Sequence, residues 1–139
     1  ITDDRMTRFN ITLEYAVQFV IQSLEKMLGG ELFVPKIPSY KILDLAKAVA
    51  PNAKYEKIGI RPGEKLHEEM ITTTDAINTV EFDKYYVILP STNIWDVEKF
   101  RKNSNDSLGK MCKYGFSYNS GNNKDFLSIK KLKELIKTL

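Results

Sequence analysis

Two stretches carry the side chains with the clearest capacity for chemistry. In Arg5-Met6-Thr7-Arg8-Phe9, two guanidiniums and a hydroxyl stand just ahead of a run with helical periodicity. Arginine offers planar, bidentate donors and a helix start adds positive potential, so this grouping suits a phosphate or diphosphate. Phe9 could present an apolar face to a base or sugar. Ordinary surface charges flanking a helix are the plainer reading of Arg5 and Arg8. The second stretch is Gly59-Ile60-Arg61-Pro62-Gly63-Glu64-Lys65-Leu66-His67-Glu68, where a strand is expected to end and Pro62-Gly63 to fix a turn. Loops at strand ends are common meeting places for ligands. Arg61 would face phosphate and Glu64 sugar or ribose hydroxyls; a turn closed by an Arg61–Glu64 ion pair is the alternative. His67 reads more simply as packing or hydrogen bonding within a short helix. A third stretch, Phe116-Ser117-Tyr118-Asn119-Ser120-Gly121-Asn122-Asn123, has amides and hydroxyls for a sugar or uracil edge, but it is also good turn chemistry.

Several chemistries are absent from the sequence. The glycines stand at 29, 30, 59, 63, 109, 115 and 121, so no Gly-x-Gly-x-x-Gly dinucleotide loop and no P-loop exists. No Gly-x-Ser-x-Gly or His-Glu-x-x-His occurs, and the single histidine excludes a multi-histidine metal site. No catalytic set and no metal site is expected from these residues. A single cysteine, Cys112, rules out an internal disulfide and fits a reducing cytosol. The net charge of +3 is too weak to argue for nucleic acid. Lys110, Lys113, Lys124, Lys130, Lys131 and Lys133 read as solvated helix-face and loop charges. No apolar run reaches the ~18 residues that cross a bilayer, and no charged-then-apolar signal-peptide pattern is expected from these residues.

The elements that must position these residues follow from periodicity and punctuation. With 139 residues, 42% of them apolar, one domain is the natural count. Leu13, Ala16, Val17, Val20, Leu24 and Met27 form a helical stripe, capped by Asn10 or Thr12 and ended by a left-handed turn at Gly29-Gly30. Residues 31–34 read as a strand. Ser39 caps a second helix carrying Ile42, Leu45, Ala46 and Val49, which Pro51 closes. Residues 55–60 alternate like a strand, and 64–70 resemble a short helix. Residues 80–82 and 85–89 suggest a hairpin around Asp83-Lys84. Residues 90–123 are expected to be mostly loop, packed through Trp95, Phe100, Phe116 and Tyr118. Ser128 caps a last helix with Ile129, Leu132, Leu135 and Ile136 on one face. The order suggests a small α/β domain rather than a complete doubly wound sheet.

Four ordered blocks then take on a family look: Asp4 to Phe9, Gly29 to Ser39, Asp44-Leu45-Ala46, and Gly59 to Glu68. Together they resemble the C-terminal half of the UDP-N-acetylglucosamine 4,6-dehydratases, in the pseudaminic-acid and capsule-sugar branch of the extended short-chain dehydrogenase/reductases. The resemblance is dense over 1–90, thins over 91–127 and returns at Tyr118 to Asn122; 128–139 is the terminal helix. It implies that residues 1–139 form an α/β C-terminal nucleotide-sugar-binding domain, with the Rossmann-like NAD(P)-binding half outside this chain. Position 1 is Ile, in what reads as the middle of a loop, so a longer protein is expected. Family members oxidise the sugar at C4 with bound NADP, eliminate water across C5 and C6, and return the hydride to C6; the inverting branch also epimerises C5. The product feeds flagellin glycans, capsule or O-antigen in the bacterial cytoplasm. Arg8 is implied to meet the UDP moiety, Arg61 and Glu64 the diphosphate or ribose, and Asn122 the nucleotide. The implied partners are the UDP-sugar, the protein's own N-terminal Rossmann domain and further copies in a homo-oligomer, with no nucleic acid and no membrane. Asn10 departs from the pattern, which expects an aromatic, usually Trp. A UDP-hexose 4-epimerase, a membrane-anchored retaining dehydratase and a non-catalytic binding module remain open. The chain alone is expected to be inactive.

Overall fold

The pattern of apolar residues sorts the chain into two cores. The computed structural model describes residues 1–92, 95–103 and 108–137. Its first compact unit is assembled from Ile1–Asn10, Ile37–Glu69 and Tyr118–Leu139, and its second from Ile11–Lys36 and Met70–Ser117. Both are mixtures of helix and strand, as the small α/β reading expects. Taking segments in chain order does not reveal this interleaving. The last two residues of the expected terminal helix, and 93–94 and 104–107 within the expected loop, lie outside the described residues.

In the first unit, β1 (Thr7–Phe9) pairs antiparallel with β3 (Ser39–Lys41), Arg8 opposite Tyr40. Helix α2 (Ile42–Val49) follows directly and packs on α4 (Ile129–Ile136), around Ala48 and the 3%-exposed Leu132. The Ser128 hydroxyl accepts from the Lys131 N–H, the cap expected for α4. Ser39 does not cap α2. It lies fully buried in β3, where its Oγ accepts from Asn123 Nδ2, and Lys41 takes the cap position without a side-chain bond. Met6, Ile37 and Tyr118 complete this core; the Tyr118 hydroxyl accepts from the Ile37 N–H and donates to its carbonyl.

Two expectations fail in this unit. Residues 55–60 form no strand: every side chain there is exposed, Gly59 sits at φ +83° and the Ile58 N–H donates to the Ile1 carbonyl. An alternating run without a neighbouring strand edge has no ladder to join. Residues 64–70 form no helix either. The Leu66 carbonyl accepts from the Thr7 N–H and the Glu68 carbonyl from the Ser120 N–H, so distant segments take the bonds that a helix would close. The short strand β4 (Glu69–Ile71) ends the stretch.

The second unit contains α1 (Leu13–Lys26), β2 (Leu32–Pro35), β5 (Thr79–Glu81), β6 (Tyr85–Ile88), α3 (Val97–Asn103) and β7 (Lys110–Met111). Its sheet runs β2-β6-β5-β7, with every pairing antiparallel. The β5–β6 hairpin around Asp83-Lys84 is the one expected, with Val80 opposite Val87. Val80, Phe82, Tyr85, Val87 and Phe100 form the core, with Phe19, Phe33, Leu89 and Trp95 against it. Phe82 stacks on Tyr85 at 4.9 Å and meets Phe100 edge-on at 5.9 Å. Helix α3 is the one helix within the described part of 90–123, which is otherwise mostly loop as expected. Its signal is Asp96, whose carboxylate accepts from the Glu98 and Lys99 N–H groups. Thr12 caps α1 through the Tyr15 N–H, as read from sequence, but the helix closes at Met27 before the glycines. Gly29 (φ +117°) and Gly30 (φ +82°) form the next bend.

Candidate functional site

All four candidate residues, Arg8, Arg61, Glu64 and Asn122, fall in the first unit. The turn that carries two of them follows from its sequence. Pro62 sets the first central position, and Gly63 at φ +83° supplies the second, which an L side chain would strain. The Glu64 N–H closes the turn onto the Arg61 carbonyl at 3.1 Å, and a Glu64 carboxylate oxygen accepts the Arg61 N–H at 2.9 Å. The carboxylate thus bonds the backbone of Arg61 and forms no ion pair with its guanidinium. The Arg61 side chain projects exposed, with no hydrogen bond or ion pair to another described residue. A cation fixed at its base by a rigid turn, with its donors open, is well suited to an anionic ligand.

Arg8 is placed differently. It lies on β1, half-buried, with most of its donors engaged. Its guanidinium donates to the carbonyls of Thr7 (2.6 Å), Leu66 (3.3 Å) and Lys65 (3.0 Å), and Nε pairs with Glu68 at 3.3 Å. Arg8 therefore clamps the 65–68 segment to β1. To meet a diphosphate it would have to exchange Glu68, whose side chain is 46% exposed, for the ligand oxygen. Arg5, beside it in sequence, is committed to Asp3 through two side-chain bonds and a backbone one. Those bonds hold the Asp3 carboxyl well below its usual range.

Asn122 closes the third stretch. Its carboxamide oxygen accepts from the Asn119 N–H, while the Asn119 oxygen accepts from the N–H groups of Gly121 and Asn122. The reciprocal bonds make a tight exposed turn out of Asn-Ser-Gly-Asn.

A polar cluster ties these pieces together, and the sequence reading missed it. Thr7 Oγ1 lies 2.7 Å from His67 Nδ1 and 2.7 Å from Ser120 Oγ; Ser120 also accepts from the Glu68 N–H at 2.9 Å. Thr7 is 4% exposed and Ser120 fully buried. His67 thus bonds across 60 residues rather than within a local helix. No short motif marks such a cluster, because its members are scattered along the chain.

The second unit carries a different surface. No residue of α1 is buried, and Leu13 (75%), Leu24 (63%) and Val20 (58%) stand in solvent. Beside them an open groove of about 410 Å³ is lined by Ala16, Phe19, Val20, Leu24, Met27 and Phe33. Among the described residues β2 is an edge strand, with Leu32 59% exposed. A helix apolar over so wide an arc is normally covered.

Dinucleotide chemistry finds no cradle here: Gly29-Gly30 follows a helix instead of leading from a strand into one. Among the described residues no group of His, Cys, Asp or Glu could hold a metal ion, and no helix is long and apolar enough to cross a membrane.

Comparison with known proteins decides the family. The pattern of polysaccharide biosynthesis proteins fits residues 1–90. The chain belongs to that family. It is 52% identical, over 98% of its length, to the UDP-N-acetylglucosamine 4,6-dehydratase (inverting) of Campylobacter jejuni strain 81-176, and 53% to that of strain NCTC 11168. A UDP-glucose 4-epimerase from Rickettsia canadensis is 29% identical over the whole chain. Among solved structures, Pen from Bacillus thuringiensis superposes with a TM-score of 0.76 at 28% identity, over 99% of this chain and 40% of that one. The chain spans 41% of the length of the Campylobacter proteins and 40% of the Rickettsia protein.

Proposed function

We propose that this chain is the nucleotide-sugar-binding, C-terminal part of an NADP-dependent UDP-N-acetylglucosamine 4,6-dehydratase of the inverting type. The observation that carries the reading is the 52–53% identity to such enzymes across 98% of the chain. The product, a UDP-4-keto-6-deoxy-hexosamine, would serve flagellin, capsule or O-antigen glycans in the bacterial cytoplasm. Arg61 supplies open, planar donors to the diphosphate, and Glu64 accepts from ribose or sugar hydroxyls with its free oxygen. Arg8 meets the UDP moiety by giving up Glu68, and Asn122 lies near the nucleotide. Residues 1–139 would act together as this binding domain. NADP and the acid–base groups belong to a Rossmann domain elsewhere on the polypeptide, since no residue set in this chain fits them. That domain would cover the exposed face of α1 and the free edge of β2, and the enzyme would work as a homo-oligomer.

The test is the reaction itself. Full-length protein incubated with UDP-N-acetylglucosamine and NADP should yield a nucleotide sugar lighter by one water and carrying a 4-keto group. The 139-residue chain alone should yield none. A product of unchanged mass, epimerised at C4, would instead favour the epimerase reading that the Rickettsia relative raises. A full-length protein that binds UDP-sugar but converts nothing would point to a non-catalytic module.

A further inference from the structure

The buried cluster of the first unit has one proton order that satisfies every contact in it. Ser120 Oγ accepts from the Glu68 N–H at 2.9 Å, lies 3.1 Å from the Thr7 carbonyl and lies 2.7 Å from Thr7 Oγ1. A serine hydroxyl has one proton to give, and a carbonyl has none. In the order that gives every contact a proton, the Ser120 hydroxyl donates to the Thr7 carbonyl. Thr7 Oγ1 must then donate to Ser120, and with its own proton spent it can only accept from His67 Nδ1, 2.7 Å away. In that order the imidazole carries its proton on Nδ1. The opposite order would leave the 3.1 Å contact between the Ser120 hydroxyl and the Thr7 carbonyl without a proton, and that carbonyl would keep only the bond from the Arg8 guanidinium at 2.6 Å.

A second observation holds the ring in place. A Cβ on Gly121 would lie 2.6 Å from His67 Cγ and Nδ1 and 2.8 Å from Cδ2. The imidazole therefore rests directly on the Gly121 backbone, inside the turn that Asn119 and Asn122 close. Thr7 immediately precedes Arg8, and the Glu68 side chain pairs with Arg8. One ring thus touches the strand that carries Arg8 and the turn that carries Asn122.

We propose that His67 is a positioning residue for the nucleotide-sugar site assigned above: its Nδ1–H holds Thr7 and, through Thr7, Ser120. It thereby fixes the Arg8 strand and the Asn122 turn at the spacing that a nucleoside diphosphate sugar requires. The lock needs a donor at Nδ1, a demand that most histidine replacements fail. Asparagine places its Nδ2 where Nδ1 stands, whereas glutamine places its amide nitrogen near Nε2.

Two measurements on the full-length protein test this. In ¹⁵N-histidine NMR at a pH where the ring is neutral, with His67 assigned by the signal lost in His67→Gln, Nδ1 should have the shift of a protonated nitrogen and Nε2 that of a bare one. The reverse pattern overturns the proton order. In calorimetric titration with UDP, His67→Gln and Thr7→Val should bind about five- to tenfold more weakly, as expected for one lost hydrogen bond. His67→Asn should stay close to wild type. Equal loss in the Asn and Gln variants, or no loss in either, overturns the positioning role. If the wild type fails to bind UDP, the nucleotide-sugar reading falls, while the NMR result still decides the proton order by itself.

Discussion

The unit built on β1, β3, α2 and α4 buries three hydrogen-bonded polar side chains, Thr7, Ser39 and Ser120, beside the apolar Met6, Ile37, Tyr118 and Leu132. The unit built on the β2-β6-β5-β7 sheet closes around Val80, Phe82, Tyr85, Val87 and Phe100, and leaves the apolar surface of α1 in solvent. Directional bonds add to apolar packing in the first unit, where every candidate residue lies; aromatic and aliphatic contact dominates the second, whose buried polar side chain among the described residues is Thr79. Hydrogen-bonded groups tolerate one geometry, which suits the proposed role of holding a diphosphate among several loops. Apolar packing tolerates more, which suits a scaffold and a surface for docking.

Point changes should separate the two. Phe82→Ala removes a ring that is 1% exposed and in contact with two other rings, and should cost about 3–5 kcal/mol in denaturant unfolding. A loss below about 1 kcal/mol would mean that the aromatic core does not support that unit. Ser120→Ala deprives the Glu68 N–H of its hydroxyl acceptor and Thr7 Oγ1 of a partner, and should cost about 1–3 kcal/mol. Leu24→Glu on the 63%-exposed face of α1 should change the stability of the 139-residue chain by less than about 0.5 kcal/mol and reduce its self-association, seen by sedimentation. A large destabilisation there would show the face to be covered within the chain. Cys112 should show the smallest effect. Burial, then the nearby Glu81 carboxylate, push its thiol up to about 11, so little thiolate exists at neutral pH. Iodoacetamide should label it slowly at neutral pH and faster as the pH rises towards that value; rapid labelling at pH 7 would contradict this environment.

How much was legible follows the same division. The β5–β6 hairpin was readable because Val80 and Tyr85-Tyr86-Val87-Ile88 are β-rich and flank a two-residue turn. Helices α1, α2 and α4 were readable from periodicity, and the Thr12 and Ser128 caps from residue type. The first unit misled where local pattern and long-range bonding disagreed. Residues 64–70 have helical spacing, but their carbonyls serve Thr7 and Ser120. Ser39 looks like a cap, yet its hydroxyl is drawn into the core by Asn123. At the site, the Pro62-Gly63 turn was legible. The commitment of Arg8 to the Lys65 and Leu66 carbonyls and the contact of His67 with Thr7 were not, because those partners lie 57 to 60 residues away.

The proposed role of the first unit rests on Arg61 meeting a diphosphate. Calorimetric titration of the full-length protein with UDP, wild type against Arg61→Ala, tests it most directly. Loss of a charge-assisted contact worth about 1.5–3 kcal/mol should weaken binding about 10- to 150-fold. Arg61→Lys should restore only part of it, because an ammonium lacks the planar fork. An Arg61→Ala protein that binds UDP with the wild-type Kd would contradict the account.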